Sequence, residues 1–514
     1  MEDNKTKLNG QVFTPLKIVN IILDNLNYTG KDILYKKIME PSFGEGVFLI
    51  EITKRIIEEG LKLNLSKKEI ETILNNNIYG IEKDSELFNK TISSLNNVLI
   101  ENNLSLINWD NLINDDTILK FKNYINKFDF VVGNPPYVRI HNLSKDLLNN
   151  IKDFQFIDGI FDLYICFYEI GIKMLNNSGK LGFITPNSFM KNVSQKSFRN
   201  YLIDNHYLQA IYDFKTSEIF KGFNTYTCIC LLSKDNNESI EYKEFDMYNL
   251  VISNQITYSL FKELFYDNVW TLSSKENIDF LIKNNNKKIK LKDKIIVQNG
   301  IVTNKDNIYI GLVYEDKEKL IPYMNKHTDE KQLVYFNDTL MESTILHRCV
   351  KISRFEGIMN NLYILFPYKL KNNNYIPLNE NEFKIEYPLA YNYLLKNKEI
   401  LATRDINENY DWYLFGRSQG LTNLSYKKII FKKFINKANP CVIPHILDED
   451  IVVYSGTYIT LNIEDDKKYN EELHNICNIL KEKDFAKYLS LVGKDKSGGY
   501  SEIGSKHIKN YGII

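Results

Sequence analysis

Between about residues 11 and 235, apolar runs of strand length alternate with longer stretches of helical spacing. Few folds accept that order. Ile33–Met39, Ile78–Ile81, Phe128–Val132, Gly182–Thr185, Ala210–Phe214 and Tyr226–Leu232 read as strands. Lys17–Leu26, Val47–Glu58, Glu86–Leu99 and Leu163–Leu175 read as helices between them. Such alternation predicts an α/β domain with a doubly wound, mostly parallel sheet. Near Ala210–Leu232 two strand-like runs follow each other across a short loop, as an antiparallel hairpin at one sheet edge would. After about residue 240 the alternation fades into short strands and loops rich in Tyr, Phe, Asn and Lys, which predicts a mixed α+β domain. The boundary is placed between about 236 and 290, with domains of 1–240 and 241–514.

The 514 residues exceed one ordinary core, and 44% hydrophobic with 25% charged residues is enough to build two. Formal net charge is zero, which neither favours nor excludes a nucleic acid, since the local field of a groove decides. The six cysteines and seven histidines show no metal-ligand spacing, so no metal is expected. Cys228 and Cys230 read as one face of a strand. The polar segment Met1–Gly10 and the lack of a long apolar run predict a cytoplasmic protein with no membrane partner.

Four short motifs carry chemistry. Glu40-Pro41-Ser42-Phe43-Gly44-Glu45-Gly46 follows a strand and opens a helix, where glycines let the backbone approach a ligand. Taken alone it could be a tight turn, and it is neither a full dinucleotide fingerprint nor a phosphate-binding loop with Lys-Ser/Thr. Tyr79-Gly80-Ile81-Glu82 ends a second strand in an acid able to accept both hydroxyls of a ribose. Asn108-Trp109-Asp110 offers an acid, read as following a third strand, that could accept from an adenine amino group or simply cap a turn. The fourth motif constrains most. Phe128–Gly133 is a buried strand, and Asn134-Pro135-Pro136-Tyr137 follows at its carboxyl end. Two prolines cannot continue a central ladder and make a rigid turn. That turn can aim two acceptors, the Asn134 side-chain oxygen and the Pro135 carbonyl, at one planar amino group, with Tyr137 as a face for a base. Phe167 could wall an adenine or be ordinary core. Phe220 and Phe223 compete as a second ring on a target base, with Phe220 favoured.

These residues resemble the amino-methyltransferases of restriction–modification systems, specifically the gamma-class, TaqI-like DNA adenine-N6 methyltransferases. The order matches: Gln11-Val12-Phe13-Thr14-Pro15, the glycine loop, Asn-Pro-Pro-Tyr, then a C-terminal specificity domain. The second half matches loosely, at Gln298–Asn304, Gly416–Gln419 and Lys496–Tyr500. The resemblance implies a seven-stranded Rossmann-like methyltransferase sheet and S-adenosyl-L-methionine as cofactor. Phe13 and Thr14, with Glu40, Gly44 and Gly46, would hold its methionine end. Glu82 would hold the ribose, Asp110 the adenine amino group and Phe167 the ring face. Glu45 is a departure, since it adds a negative charge beside the cofactor's carboxylate.

The implied reaction is methyl transfer to the N6 amino group of an adenine flipped out of duplex DNA, with Asn134, Pro135, Pro136 and Tyr137 as the catalytic loop and Tyr137 and Phe220 stacking the base. Arg417 and Gln419 are candidates for reading bases, and Lys437, Lys494 and Lys496 for gripping phosphate. Solvated faces explain each of these equally well. The expected partners are double-stranded DNA and a separate cognate endonuclease, for a protein acting as a monomer. A glutamine amide of a protein, or an RNA base amino group, is the alternative substrate. The large C-terminal domain argues against it. Only about ten residues precede the Phe-Thr-Pro segment, so an N-terminal nuclease fusion is not expected.

Overall fold

The alternating half of the chain builds one large sheet. A computed structural model describes residues 14–514 other than 216, 218, 221–225, 316–332, 358–360, 372–373, 405–409, 418–419 and 497. The chain divides into two compact units, Met1–Phe280 and Leu281–Ile514.

In the first unit the strands are β1 (Ile38–Glu40), β2 (Ile78–Glu82), β3 (Leu112–Asn114), β4 (Phe128–Gly133), β5 (Leu175–Pro186), β6 (Leu208–Asp213), β7 (Thr227–Ser233), β8 (Ser239–Asp246) and β9 (Asn249–Thr257). Their order across the sheet is β3–β2–β1–β4–β5–β7–β6–β8–β9. The pairs β1–β2, β1–β4, β2–β3, β4–β5 and β6–β8 are parallel; β5–β7, β6–β7 and β8–β9 are antiparallel. β1 and β7 are buried along their whole length, as strands covered on both faces must be. Cys228 and Cys230 lie on one face of β7, opposite Thr185 and Phe183. The helices Val47–Lys62 and Lys67–Asn77 join β1 to β2, and Ser85–Glu101 joins β2 to β3. The chain then returns to place β4 on the other side of β1. Ligand sites of open α/β sheets lie at such a reversal, outside the carboxyl ends of the strands.

Three expectations are corrected. The sheet has nine strands, not seven. The antiparallel strand β7 is interior, inserted between β5 and β6, so the hairpin expected at the edge is not the edge. The edge is β8–β9, where Ile240 and Tyr242 are buried but most of β9 faces solvent, a pattern too diluted by charge to stand out. These two strands belong to the first unit, which runs to Phe280. The run Ile33–Met39 also splits, into a 3-10 turn at Lys31–Tyr35 and the short β1.

The second unit is mixed α+β, with sheets of four, six, two and three strands and helices such as Asp466–Lys481 and Lys483–Val492. Two segments singled out in its sequence meet there. Val302 and Arg417 form an antiparallel bridge, and a side chain at Gly420 would come within 2.7 Å of the Gly300 backbone. Among the described residues no helix is long and apolar enough to cross a membrane.

Candidate active site

The turn after β1 opens a cavity of about 540 Å³ at the carboxyl ends of β1, β2 and β4. Gly44 and Gly46 both sit at left-handed φ, 51° and 70°. A Cβ at Gly46 would lie 2.2 Å from the Thr91 methyl group, so this turn accepts no side chain there. Thr91 Oγ1 in turn donates to the Gly44 carbonyl at 2.9 Å. Glu45 turns to Lys90 and forms an ion pair with it, which accounts for the extra charge in the loop.

Two acids line the cavity from strand ends. Glu40, at the end of β1, is 2% exposed, and its Oε2 has no hydrogen-bond partner among the described residues. Burial, and then the charge of Glu82, hold its carboxyl well above the usual carboxylate range. Glu82, at the end of β2, accepts from Gly44 N and Asp84 N, each at 2.8 Å. Burial raises its pKa despite those two donors. A carboxylate offers about four acceptor sites, so Glu82 retains capacity for further donors.

Asp110 is not in this cavity. β3 begins after it, at Leu112, so Asp110 sits at the amino end of the strand. There it accepts from Asn75 Nδ2 at 2.7 Å. The acid at the carboxyl end is Asp116, which lines the cavity, caps a short helix through Ile118 N at 2.9 Å and pairs with Lys83 at 2.9 Å. Sequence reasoning missed it because β3 has only three residues. The usable signal was Leu112-Ile113 followed by the turn-forming run Asn114-Asp115-Asp116-Thr117.

At the end of β4, Asn134 Nδ2 donates to Thr14 Oγ1 at 3.1 Å across 120 residues of sequence. Thr14, Asn134, Pro136 and Phe167 all line the cavity, and Pro135 is buried. Tyr137 donates its hydroxyl to the Ile184 carbonyl of β5 at 3.0 Å, which fixes the ring. Tyr164 and Phe220 meet that ring edge-on, with centroids 6.3 and 6.5 Å away. Phe13 and Phe223 lie outside the described residues. The structure therefore gathers Thr14, Glu40, Gly44, Glu82, Asn134, Pro136 and Phe167 around one cavity, with Gly46 in its turn, and sets Phe220 against the ring of Tyr137 in the Asn134–Tyr137 turn.

Of the candidates in the second unit, Arg417 is exposed and Gln419 lies outside the described residues. Lys437, Lys494 and Lys496 meet on one three-stranded sheet; Lys437 pairs with Asp495, and Lys496 with Glu502 at 2.7 Å, while Lys494 is exposed.

A sheet that reverses between β1 and β4, with a glycine turn, a strand-end acid and an Asn-Pro-Pro-Tyr turn at its carboxyl edge, is the arrangement that the resemblance to amino-methyltransferases implies. Residues 46–220 match the family of Eco57I restriction-modification methylases. The chain is similar to the type II restriction enzyme and methyltransferase RM.Eco57I of Escherichia coli, with 25% identity over 96% of this chain and 56% of the relative. It is also similar to the type II methyltransferase M.BstVI of Geobacillus stearothermophilus, with 31% identity over 59% of this chain and 60% of the relative. The chain thus spans a little over half the length of these two relatives. In fold it resembles the type IIL restriction-modification enzyme MmeI, solved in complex with DNA, at a TM-score of 0.58 and 14% identity over 96% of this chain and 65% of that one. The chain is related to the methyltransferases of restriction–modification systems, as the sequence motifs imply.

Proposed function

We propose that the chain methylates the N6 amino group of an adenine flipped out of duplex DNA, using S-adenosyl-L-methionine. The observation that carries this is the Asn134–Tyr137 turn at the rim of the cavity, with its amide held by Thr14 and its ring held by Ile184.

The cavity residues fit the cofactor. The buried Glu40 carboxyl, with one oxygen unpartnered, suits the ammonium of an amino acid. Glu82 has acceptor sites left for a ribose diol, and Asp116 takes the adenine-facing role first given to Asp110. Ile118, Leu163 and Phe167 supply apolar walls for a flat ring. When bound, S-adenosyl-L-methionine supplies an electrophilic methyl group on a sulfonium.

Adenine's exocyclic nitrogen is a weak nucleophile because its lone pair is delocalised into the ring. Asn134 Nδ2 can only donate, and it does so to Thr14, so accepting from that amino group is the role of Oδ1, together with the Pro135 carbonyl. Two fixed acceptors favour a pyramidal nitrogen and a localised lone pair, and they need no reorganisation as charge develops. Alignment of the nitrogen with the methyl group supplies a further part of the rate. The proton lost afterwards leaves a cationic nitrogen readily, so the loop needs no dedicated base. Flipping the base costs roughly a few kcal/mol, and stacking on Tyr137, with Phe220 at its edge, offsets about 1–3 kcal/mol of it. The first unit is then the catalytic domain and the second the target-recognition domain.

The test is expression in a host lacking adenine methylation, followed by sequencing of its genome for modified bases. Methyladenine at one motif, abolished by Asn134→Ala, is the expected result. Soluble, cofactor-binding protein with no modified adenine would overturn the proposal. A methylated protein glutamine or RNA base in the same cells would point to the alternative substrates.

A further inference from the structure

The second unit carries an exposed aromatic face that its fold does not need. In the three-stranded sheet, Phe434 pairs with Glu502 and Asn436 with Tyr500, while Lys494 and Lys496 pair with Glu502 and Tyr500 from the other side. Directly paired residues share a face. The alternate set, Ile435 and Ser501, is buried, so the first set faces solvent. Phe434 is 48% exposed and Tyr500 41%.

Behind Phe434 lies a cavity of about 290 Å³, lined also by Phe355, Phe431, Ile443, His445 and Lys432. It is at the small end of ligand pockets, fit for one ring-sized group. Lys433 pairs with Glu502, which Lys496 also holds, and Lys432 lies 3.7 Å from Glu356. Four lysines, 432, 433, 494 and 496, therefore face two carboxylates, a local excess of positive charge in a chain of zero net charge. Exposed pairs of this kind are worth little and yield readily to a phosphate.

We propose that this face and its cavity hold a nucleotide of a DNA strand that has left the base stack. The lysines contact phosphate, Tyr500 and Phe434 pack on sugar and base, and the cavity behind Phe434 receives one base. Aromatic rings beside lysines on a sheet face are a sequence-tolerant platform for unstacked bases. The inference rests on the chain being a DNA-acting enzyme and adds a second nucleotide site far in sequence from the Asn134 loop.

The experiment measures binding of the full chain to a labelled oligothymidylate and to a labelled duplex of equal length at low salt. The double substitution Phe434→Ala with Tyr500→Ala, and separately Ile443→Trp at the cavity mouth, should weaken oligothymidylate binding roughly 10- to 100-fold. Duplex binding should change less than about threefold, within the scatter of single rim contacts, and Phe434→Tyr should retain wild-type binding. Oligothymidylate affinity indifferent to either the double substitution or Ile443→Trp would overturn the proposal. So would an equal loss for strand and duplex. Genome methylation by the wild type is scored in parallel. Methylation with indifferent oligothymidylate binding sinks this site alone, whereas Phe434-dependent binding without methylation sinks the enzymatic function alone.

Discussion

Glu40 in the first unit and Lys428 in the second are both withdrawn from solvent, 2% and 0% exposed. Their surroundings differ. Lys428 Nζ donates to the carbonyls of Leu424, Ile451 and Glu449 at 2.6, 2.8 and 3.3 Å. Arg404, in the same unit, reaches the carbonyls of Thr303, Leu401 and Leu414 at 2.8–3.2 Å, and that of Trp412 at 2.5 Å. Arg199, in the first unit but away from the cavity, does likewise with Phe189, Asn192 and Asn268. Each of these cations ties loops together through backbone groups. Of the four side chains compared, Glu40 is the one that lines the cavity, and its Oε2 has no hydrogen-bond partner among the described residues. A buried charge that is fully satisfied marks architecture, and one left incomplete marks a place made for something else.

Asn134→Ala tests the site side of this contrast most severely. Removing one preorganised group of this kind costs about 10²–10³ in rate. Single-turnover methylation should fall by that much while cofactor affinity changes far less; an unimpaired variant would remove Asn134 from the chemistry. Glu40→Gln comes next. It should weaken cofactor binding at least about tenfold, since a hydrogen bond to a charged partner is worth roughly 1.5–3 kcal/mol. It should also stabilise the ligand-free protein. The folded-state pKa of Glu40 is raised by burial, so its stability contribution is intact at acid pH and is lost as pH climbs from the ordinary value toward the raised one. The melting advantage of the Gln variant should therefore widen as pH rises above the ordinary carboxylate value, by a few degrees; a constant gap would refute the assignment.

Lys428 behaves with the opposite sign. Burial lowers its pKa from 10.5 to about 7, so between those values the unfolded chain binds the proton more readily and stability rises with pH. Thermal melts of Lys428→Met should lose that alkaline gain while methylation stays unchanged. The smallest effect belongs to Glu502, which hydrogen bonds from Lys433 and then Lys496 hold down to about 2. Its contribution is present above the ordinary carboxylate pKa and disappears as pH falls through about 2. Because the two lysines that hold it are exposed, it should be no more than about 1 kcal/mol. Glu502→Gln should nonetheless raise nucleic-acid affinity about two- to tenfold and steepen its salt dependence, because two lysines gain freedom to meet phosphates. Weaker binding would contradict a phosphate role for them.

The strands of the buried sheet were legible because covered strands are written as unbroken apolar runs, as in Phe128–Val132 and Tyr226–Leu232. Asn134–Tyr137 was legible because two prolines at a strand end have few structural uses. β3 was not, since Leu112–Asn114 is too short to show a period, and so the strand-end acid was read as Asp110, whereas Asp116 is the one that lines the cavity. β8 and β9 were hidden for a different reason. A half-solvated edge carries lysines and glutamates, as in Ser239–Asp246, and reads like loop. Nor does a one-dimensional pattern record that Val302 bridges to Arg417, or that Phe434 and Tyr500 share a face, because register between distant strands is set by tertiary packing.

The hydrogen bond between Thr14 and Asn134 makes the two halves of the site parts of one equilibrium. Under the proposed function, whatever holds Thr14 at the cavity also orients the amide that would meet the target amino group, and the reverse holds by thermodynamic reciprocity. On the proposed function, the factor by which cofactor tightens the grip on a flipped adenine would equal the factor by which that adenine tightens the grip on cofactor. Cutting the link with Thr14→Val would leave each ligand binding alone and reduce that shared factor toward one.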